Sequence, residues 1–173
     1  HLVQNEGVHS LTPVTKFFTD SGIFTSGVVE AVWRPVATLA SALSWQIFGG
    51  NPSGYHLVNL ALHLLNVALI YFIFLKISIR KIVAPAAAAI FALHPIGTEA
   101  VTWISSQNTL LFTSFFLLAI LFLISKKTAL ATVFFALSLL TKETAIAGIG
   151  VIFVCYYVLE DKMEGLRELA GWI

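Results

Sequence analysis

The sequence predicts an all-α fold, a polytopic transmembrane helix bundle of about five membrane segments with amphipathic helices lying in the interface. Three observations lead there. Of 173 residues, 58% are hydrophobic and only 11% charged, where soluble domains carry about a quarter charged. The mean hydropathy is +0.89. Apolar runs, some long enough for about 30 Å of hydrocarbon, alternate with short polar stretches.

These figures also exclude some function classes. A net charge of +1 supplies no basic stripe for nucleic acid. The single Cys155 lies in an apolar run, so it reads as a small buried hydrophobe and no disulfide framework exists within the chain. The chain opens at His1 with neither a methionine nor a signal-peptide pattern, and it reads as a piece of a longer protein.

Three regions follow in order. Residues 1–50 read as an extracytoplasmic loop with interfacial helices. In "SLTPVTKFF" a helix starts with Ser10 or Thr12 as cap and Pro13 in the first turn. "RPVATLASALSWQIFGG" predicts an interfacial helix that begins near Arg34 and Pro35, carries Trp45 and stops at Gly49-Gly50. Residues 51–160 hold the transmembrane bundle, with apolar runs at 55–75, 82–93, 109–125, 128–140 and 144–159. Residues 161–173 read as a cytoplasmic-side interfacial segment.

Basic residues set the expected orientation. Alternating crossings place Lys76, Arg80, Lys81, Lys126, Lys127, Lys162 and Arg167 on one side, and Lys16, Arg34 and Lys142 on the other. Seven against three favours the first side as cytoplasmic. His94–Asn108 and the Lys142-Glu143 pair then share the outer face with the N-terminal loop. Runs of roughly 13 residues rise only about 20 Å, so their outer ends stop below the membrane surface. Irregular polar backbone at that depth has to line a cavity or be buried in protein. One outward-facing pocket bordered by His94–Asn108 and Lys142 is therefore expected.

Several polar residues then need a reason. His56, Asn59, His63 and Asn66 recur at spacings of three, four and three, which is one helical face. That stripe has to face a bundle interior or cavity. Interhelical hydrogen bonding is the expected role of His63 and Asn66; His56, near the outer end, is open to binding as well. Glu99 can act as a base, hold a metal or pair with a cation. Its alternative role is a charge at the N-terminus of a short helix through Val101 and Trp103. His94 before Pro95 fits a metal ligand or a helix end. Lys142 and Glu143 fit an ion pair between helices, or Lys142 a point charge for phosphate. Arg34 poses the same choice.

Read together, three blocks resemble a family. "WRPVATLASALSWQIFGGNPSGYHLVNLALHLLN", "FALHPIGTEAVTWIS" and "LLTKETAIAGIGVIFVCYY" occur in the order found in the GT-C-type membrane glycosyltransferase core of the transmembrane-and-TPR-repeat O-mannosyltransferase-like family, across most of residues 33 to 160. The resemblance implies an enzyme taking a sugar from a polyprenyl-phosphate donor on the outer membrane face, with a protein or glycan as acceptor. It places Glu99 among catalytic residues and Arg34, His56, His94 and Lys142 among substrate-binding ones. A divalent metal ion is the one cofactor it admits. Beyond the lipid bilayer and the donor, proteins in a membrane complex are possible partners.

Two features depart from the family pattern. The family follows Trp-Ile with Arg and Asp, roughly W-I-x-x-R-x-D, whereas "WISSQNTLL" has Gln107 and Asn108 and neither charge. The family's acidic pair in the first outer loop, the expected general base, would lie upstream of His1, and Glu6 and Asp20 are poorly placed to replace it. A non-catalytic subunit that packs against partner proteins is therefore the alternative function. A lipid or ion transporter ranks behind both, because no clear inverted repeat is visible.

Overall fold

The computed structural model describes residues 9, 14–19, 33–78, 80, 82–153 and 157. The expectations for Cys155, Glu6, Asp20, Lys162, Arg167 and the segment 161–173 lie outside the described residues. Within them, a single turn α1 (Lys16–Thr19) is followed by α2 (Pro35–Phe48), α3 (Pro52–Ile77), α4 (Val83–Leu93), α5 (Pro95–Thr102), α6 (Gln107–Ile124) and α7 (Thr128–Thr141). Short 3-10 turns cover Ile104–Ser106 and Glu143–Ala147. The fold is all-helical, as the composition predicted.

Local chemistry sets the helix ends. Pro35 opens α2, and the helix stops at Gly49, whose φ of 54° suits a residue without a Cβ. One residue later the Asn51 side chain accepts a hydrogen bond from the Ser53 amide at 3.1 Å, capping α3 just before Pro52. The α3 helix then runs 26 residues, about 39 Å at 1.5 Å per residue. Two helices are long and apolar enough to cross a membrane, Pro52–Ile77 and the stretch Ile104–Ile124. The other three expected segments appear as shorter apolar helices, Val83–Leu93, Thr128–Thr141 and Glu143–Phe153. Two full-length spans thus stand where five segments were expected. Rises of 11 and 14 residues for α4 and α7 are too short for about 30 Å of hydrocarbon.

Register fixes the direction of each helix. Asn59 donates to the Trp103 carbonyl at 2.8 Å and Asn66 to the Leu110 carbonyl at 3.1 Å. Seven residues along α3 match seven along the stretch that leads into α6, so these two helices run in the same direction. The α4 helix returns against α3, its C-terminal Ala92 carbonyl lying 3.5 Å from His63 Nε2. After the turn at Ser125–Lys127, α7 returns against α6, and Phe122 stacks on Phe134 with ring centroids 5.3 Å apart. One end of the bundle therefore gathers Asn51, residues 94–107 and Lys142-Glu143. The opposite end gathers Lys76, Arg80, Lys126 and Lys127. Lys81, Lys162 and Arg167, grouped with these four by the alternating crossings, lie outside the described residues.

Beside buried Tyr55, Leu69, Ile73, Leu110 and Ile120, the interior is rich in small and polar residues. Ala37, Ala42, Ala84, Ala119, Ala145, Asn59, Asn66, Ser114, Ser138 and Thr141 are buried, while Leu57, Leu64, Phe72, Ile90 and Leu93 are exposed. Only 28% of the apolar window in each long helix is buried. Small residues let backbones approach and polar ones hydrogen-bond between helices, while bulky aliphatic side chains outside meet hydrocarbon. This is a membrane protein.

Candidate functional site

The end of the bundle where α2, α5, α6 and α7 meet holds most of the residues singled out from sequence. The α2 helix crosses this end. At its start, Arg34 lies against Glu143 after α7; ten residues on, the Ser44 hydroxyl accepts from Gln107 Nε2 at 2.8 Å. At its finish, the Tyr55 hydroxyl donates to the Gly49 carbonyl at 2.8 Å. A helix expected from "RPVATLASALSWQIFGG" is present, and it ties three helix ends together.

The Arg34 guanidinium grips Glu143 in a fork. Nε donates to Oε2 at 2.8 Å and Nη2 meets Oε1. A bidentate pair of this kind is stronger than a single contact. The hydrogen bonds from Arg34 hold the Glu143 carboxyl down at about 2, so it stays charged under any ordinary condition. Lys142 turns elsewhere, its Nζ donating to Thr109 Oγ1 at 3.0 Å.

An ion pair of Lys142 with Glu143 is therefore not what forms. The backbone at Lys142 is extended, φ −156° and ψ 130°, and successive side chains on extended backbone leave on opposite sides. Lys142 faces α6 while Glu143 faces α2. Arg34 and Lys142 do come together at one bundle end, as expected. Glu143 was expected at this end, but not as the partner of Arg34, and Thr109 was not singled out; the two contacts join residues 109 and 33 positions apart, beyond any local spacing rule.

His94 has a structural part. Its Nδ1 accepts from the Ile96 amide at 3.2 Å and caps α5 ahead of Pro95, the helix-end role of its two alternatives. Glu99 sits on α5 with its side chain exposed. It is the fifth residue of an eight-residue helix whose first turn contains no acidic residue. The alternative that placed its charge at the helix N-terminus is therefore corrected, since the macrodipole acts within the first turn. His56 is exposed at the start of α3. The stripe it was grouped with splits, because Asn59, His63 and Asn66 are buried and His56 is not.

The buried members make the interhelical contacts expected of them. Asn66 Oδ1 also accepts from Ser114 Oγ at 2.7 Å. His63 stacks on Phe91 with centroids 5.5 Å apart. Two buried amide oxygens, Asn59 Oδ1 and Gln107 Oε1, have no partner among the described residues. Among those residues no three His, Cys, Asp or Glu side chains come together to hold a metal. The described donor set does not fit the divalent ion that the resemblance admits.

An all-helical membrane bundle with a charged cluster at one end is the class these observations define. Comparison of the sequence with known proteins narrows it. Over 126 residues the chain is 33% identical to the protein named O-mannosyl-transferase TMTC3 of Mus musculus, covering 69% of this chain and 13% of that protein. Its Homo sapiens counterpart is 31% identical over 123 residues, again 69% and 13%. Tmtc2 of Drosophila melanogaster is 39% identical over 93 residues, 53% of this chain and 9% of that protein. No family model matches the chain, and no solved structure does. Over the stretch it shares with these relatives, the chain belongs to the TMTC-like family. It spans 13% of the length of each TMTC3 relative.

Proposed function

We propose that this chain is part of the membrane core of a GT-C-like glycosyltransferase that moves a sugar from a polyprenyl-phosphate donor to a protein or glycan acceptor. The observation that carries the reading is the meeting of Arg34, Lys142, Glu143 and Thr109 at the bundle end from which α5, with Glu99, also projects. The names of the relatives, protein O-mannosyl-transferases, agree with it and point to mannose. The protein is multi-pass, in a bacterial inner membrane or the endoplasmic reticulum membrane, with His94–Asn108 on the extracytoplasmic side. The basic residues Lys76, Arg80, Lys126 and Lys127 at the opposite end support that orientation.

The chemistry is a displacement at the anomeric carbon. The acceptor hydroxyl oxygen attacks that carbon while its proton passes to a carboxylate. The bond from the anomeric carbon to the phosphate oxygen breaks, and the lipid phosphate leaves with the electron pair. Among the described residues we assign that proton to Glu99, exposed and free of any ion pair with them, beside the acidic pair that the family pattern places ahead of His1. Lys142 and Arg34 supply positive charge where negative charge develops on the departing phosphate. His56 and His94 line the same end and offer ring nitrogens to sugar hydroxyls. The residues described here route no step through a metal ion.

Transfer of radiolabelled mannose by the full-length protein in membranes tests this. Glu99→Gln should lower the rate at least about a hundredfold, the typical worth of general base catalysis. An unchanged rate in a well-folded Glu99→Gln protein sinks the role of Glu99, and absence of transfer by the wild type sinks the enzyme reading.

A second reading has its own observation. Gln107, where the family pattern carries Arg, is buried and bonded to Ser44. There it packs α6 against α2 instead of offering charge to a substrate. That suits a non-catalytic subunit holding partner proteins in a membrane complex. Association of the full-length wild type with a stable partner, together with absence of transfer, would favour it.

A further inference from the structure

We infer that Glu143 decides which anion the charged cluster accepts, favouring a singly charged phosphodiester and disfavouring a diphosphate; this rests on the lipid-phosphate reading above. Arg34 and Lys142 bring two positive charges and Glu143 one negative, leaving a net charge of +1 on the three. The arrangement shows how that net charge is distributed. Two of the guanidinium nitrogens, Nε and Nη2, are committed to the carboxylate. Lys142 gives one N–H to the neutral Thr109 hydroxyl at 3.0 Å and keeps its whole charge, with two more N–H groups to offer.

The extended backbone at Lys142 turns the two neighbouring side chains apart. Glu143 therefore compensates chiefly the arginine on α2, which donates hydrogen bonds to it, and only weakly, through space, the lysine beside α6. A phosphodiester brings one negative charge and leaves the cluster neutral. A diphosphate brings at least two, and its excess charge faces Glu143, half-exposed at 53% of its side-chain surface. Thr109 contributes by holding the ammonium in place without cancelling it, which a carboxylate at that position would do.

The test uses full-length protein in detergent and two soluble probes, a short-chain prenyl phosphoryl-mannose and a short-chain prenyl diphosphate, with Kd measured calorimetrically for each. Wild type should prefer the phosphodiester. Glu143→Gln raises the net charge to +2 and should shift the ratio of the two Kd values toward the diphosphate, on the order of fivefold for a partly exposed charge. Glu143→Asp keeps the charge and should keep the ratio. The double variant Arg34→Gln with Glu143→Gln returns the net charge to +1 and should restore the wild-type ratio.

Melting temperatures recorded alongside separate a folding defect from a change in selectivity. If Glu143→Gln does not fold, Arg34→Gln alone gives the opposite arm, net zero, and should move the ratio further from the diphosphate. A folded Glu143→Gln with an unchanged ratio overturns the inference, and so does a double variant that fails to restore it. Wild type that binds neither probe overturns the lipid-phosphate reading first, and this inference with it.

Discussion

The seam between α3 and α6 and the seam between α6 and α7 share one helix and are built in opposite ways. The first is stitched by polar groups. Asn59 and Asn66, both wholly buried, reach backbone carbonyls of Trp103 and Leu110, and Ser114 closes the network onto Asn66. The second is packed by rings: Phe115 and Phe122 against Phe134, and Phe116 against Phe135. Hydrogen bonds to fixed carbonyls specify one register, because a slip by one residue would leave buried amides without partners. Rings tolerate small slides, since dispersion is non-directional. The α3–α6 seam therefore sets where the residues of the bundle end stand. The α6–α7 seam supplies bulk.

The sharpest way to break the ring-packed side is at Gly148. A Cβ there would sit 2.3 Å from Phe116 Cε2, and the ring is hemmed in by Phe112 and Phe135. Gly148→Val should destabilise the full-length protein by about 2–3 kcal/mol, the upper range for overpacking, read as a loss of melting temperature in detergent. If the variant melts as the wild type does, this close approach is not part of the fold in solution.

A smaller effect is expected on the polar side. Asn66→Ala removes two hydrogen bonds but leaves Ser114 bonded to the Leu110 carbonyl at 3.0 Å, so its cost should be about 1–2 kcal/mol. Its more telling consequence is register. Disulfide trapping between cysteines introduced at facing positions of α3 and α6 that keep Asn59 and Asn66 should become less efficient in Asn66→Ala and stay unchanged in a variant of the aromatic seam such as Phe122→Leu. Equal trapping in all three would mean that polar stitching does not set the register.

The smallest effect belongs to the clasp that ties α2 to the end of α7. The folded carboxyl of Glu143 sits at about 2, below its ordinary 4.5, so the pair's contribution is complete above that ordinary value and lost as pH falls from there through about 2. Water and salt screen a half-exposed pair, so the loss should stay below about 1 kcal/mol. Melting curves at pH 6 and pH 3 for wild type and Glu143→Gln check it, with the pH-dependent difference gone in the variant. High salt should shrink the same difference.

Much of this molecule was legible in its sequence for local reasons. Proline and glycine mark the ends of α2, whereas the Asn51 cap and Pro52 lie ahead of the apolar run read from residue 55. The three-and-four spacing put Asn59, His63 and Asn66 on one face, and their burial followed. His94 before Pro95 read as a metal ligand or a helix end, and it caps α5. Where the reading went astray, a local rule met a contact that is not local. Glu99 stood near a helix start in sequence, yet α5 begins at Pro95 and leaves it mid-helix. His56, already read near the outer end, is exposed there, so the stripe's shared burial begins only at Asn59.

What the sequence by itself determined is the class of structure: apolar helices with small and polar residues inward, because hydrocarbon rewards bulky side chains outside and backbone bonding within each helix. The motif order that relates the chain to its family was equally plain. Only the tertiary structure decided the pairing of charges. Lys142 and Glu143 are neighbours in the chain, yet the extended residue between α7 and the turn sends one to Thr109 and the other across to Arg34, 109 positions earlier. Which cation is neutralised and which is left for an anion is set by how α2 crosses the bundle end, and no spacing along the chain encodes that crossing.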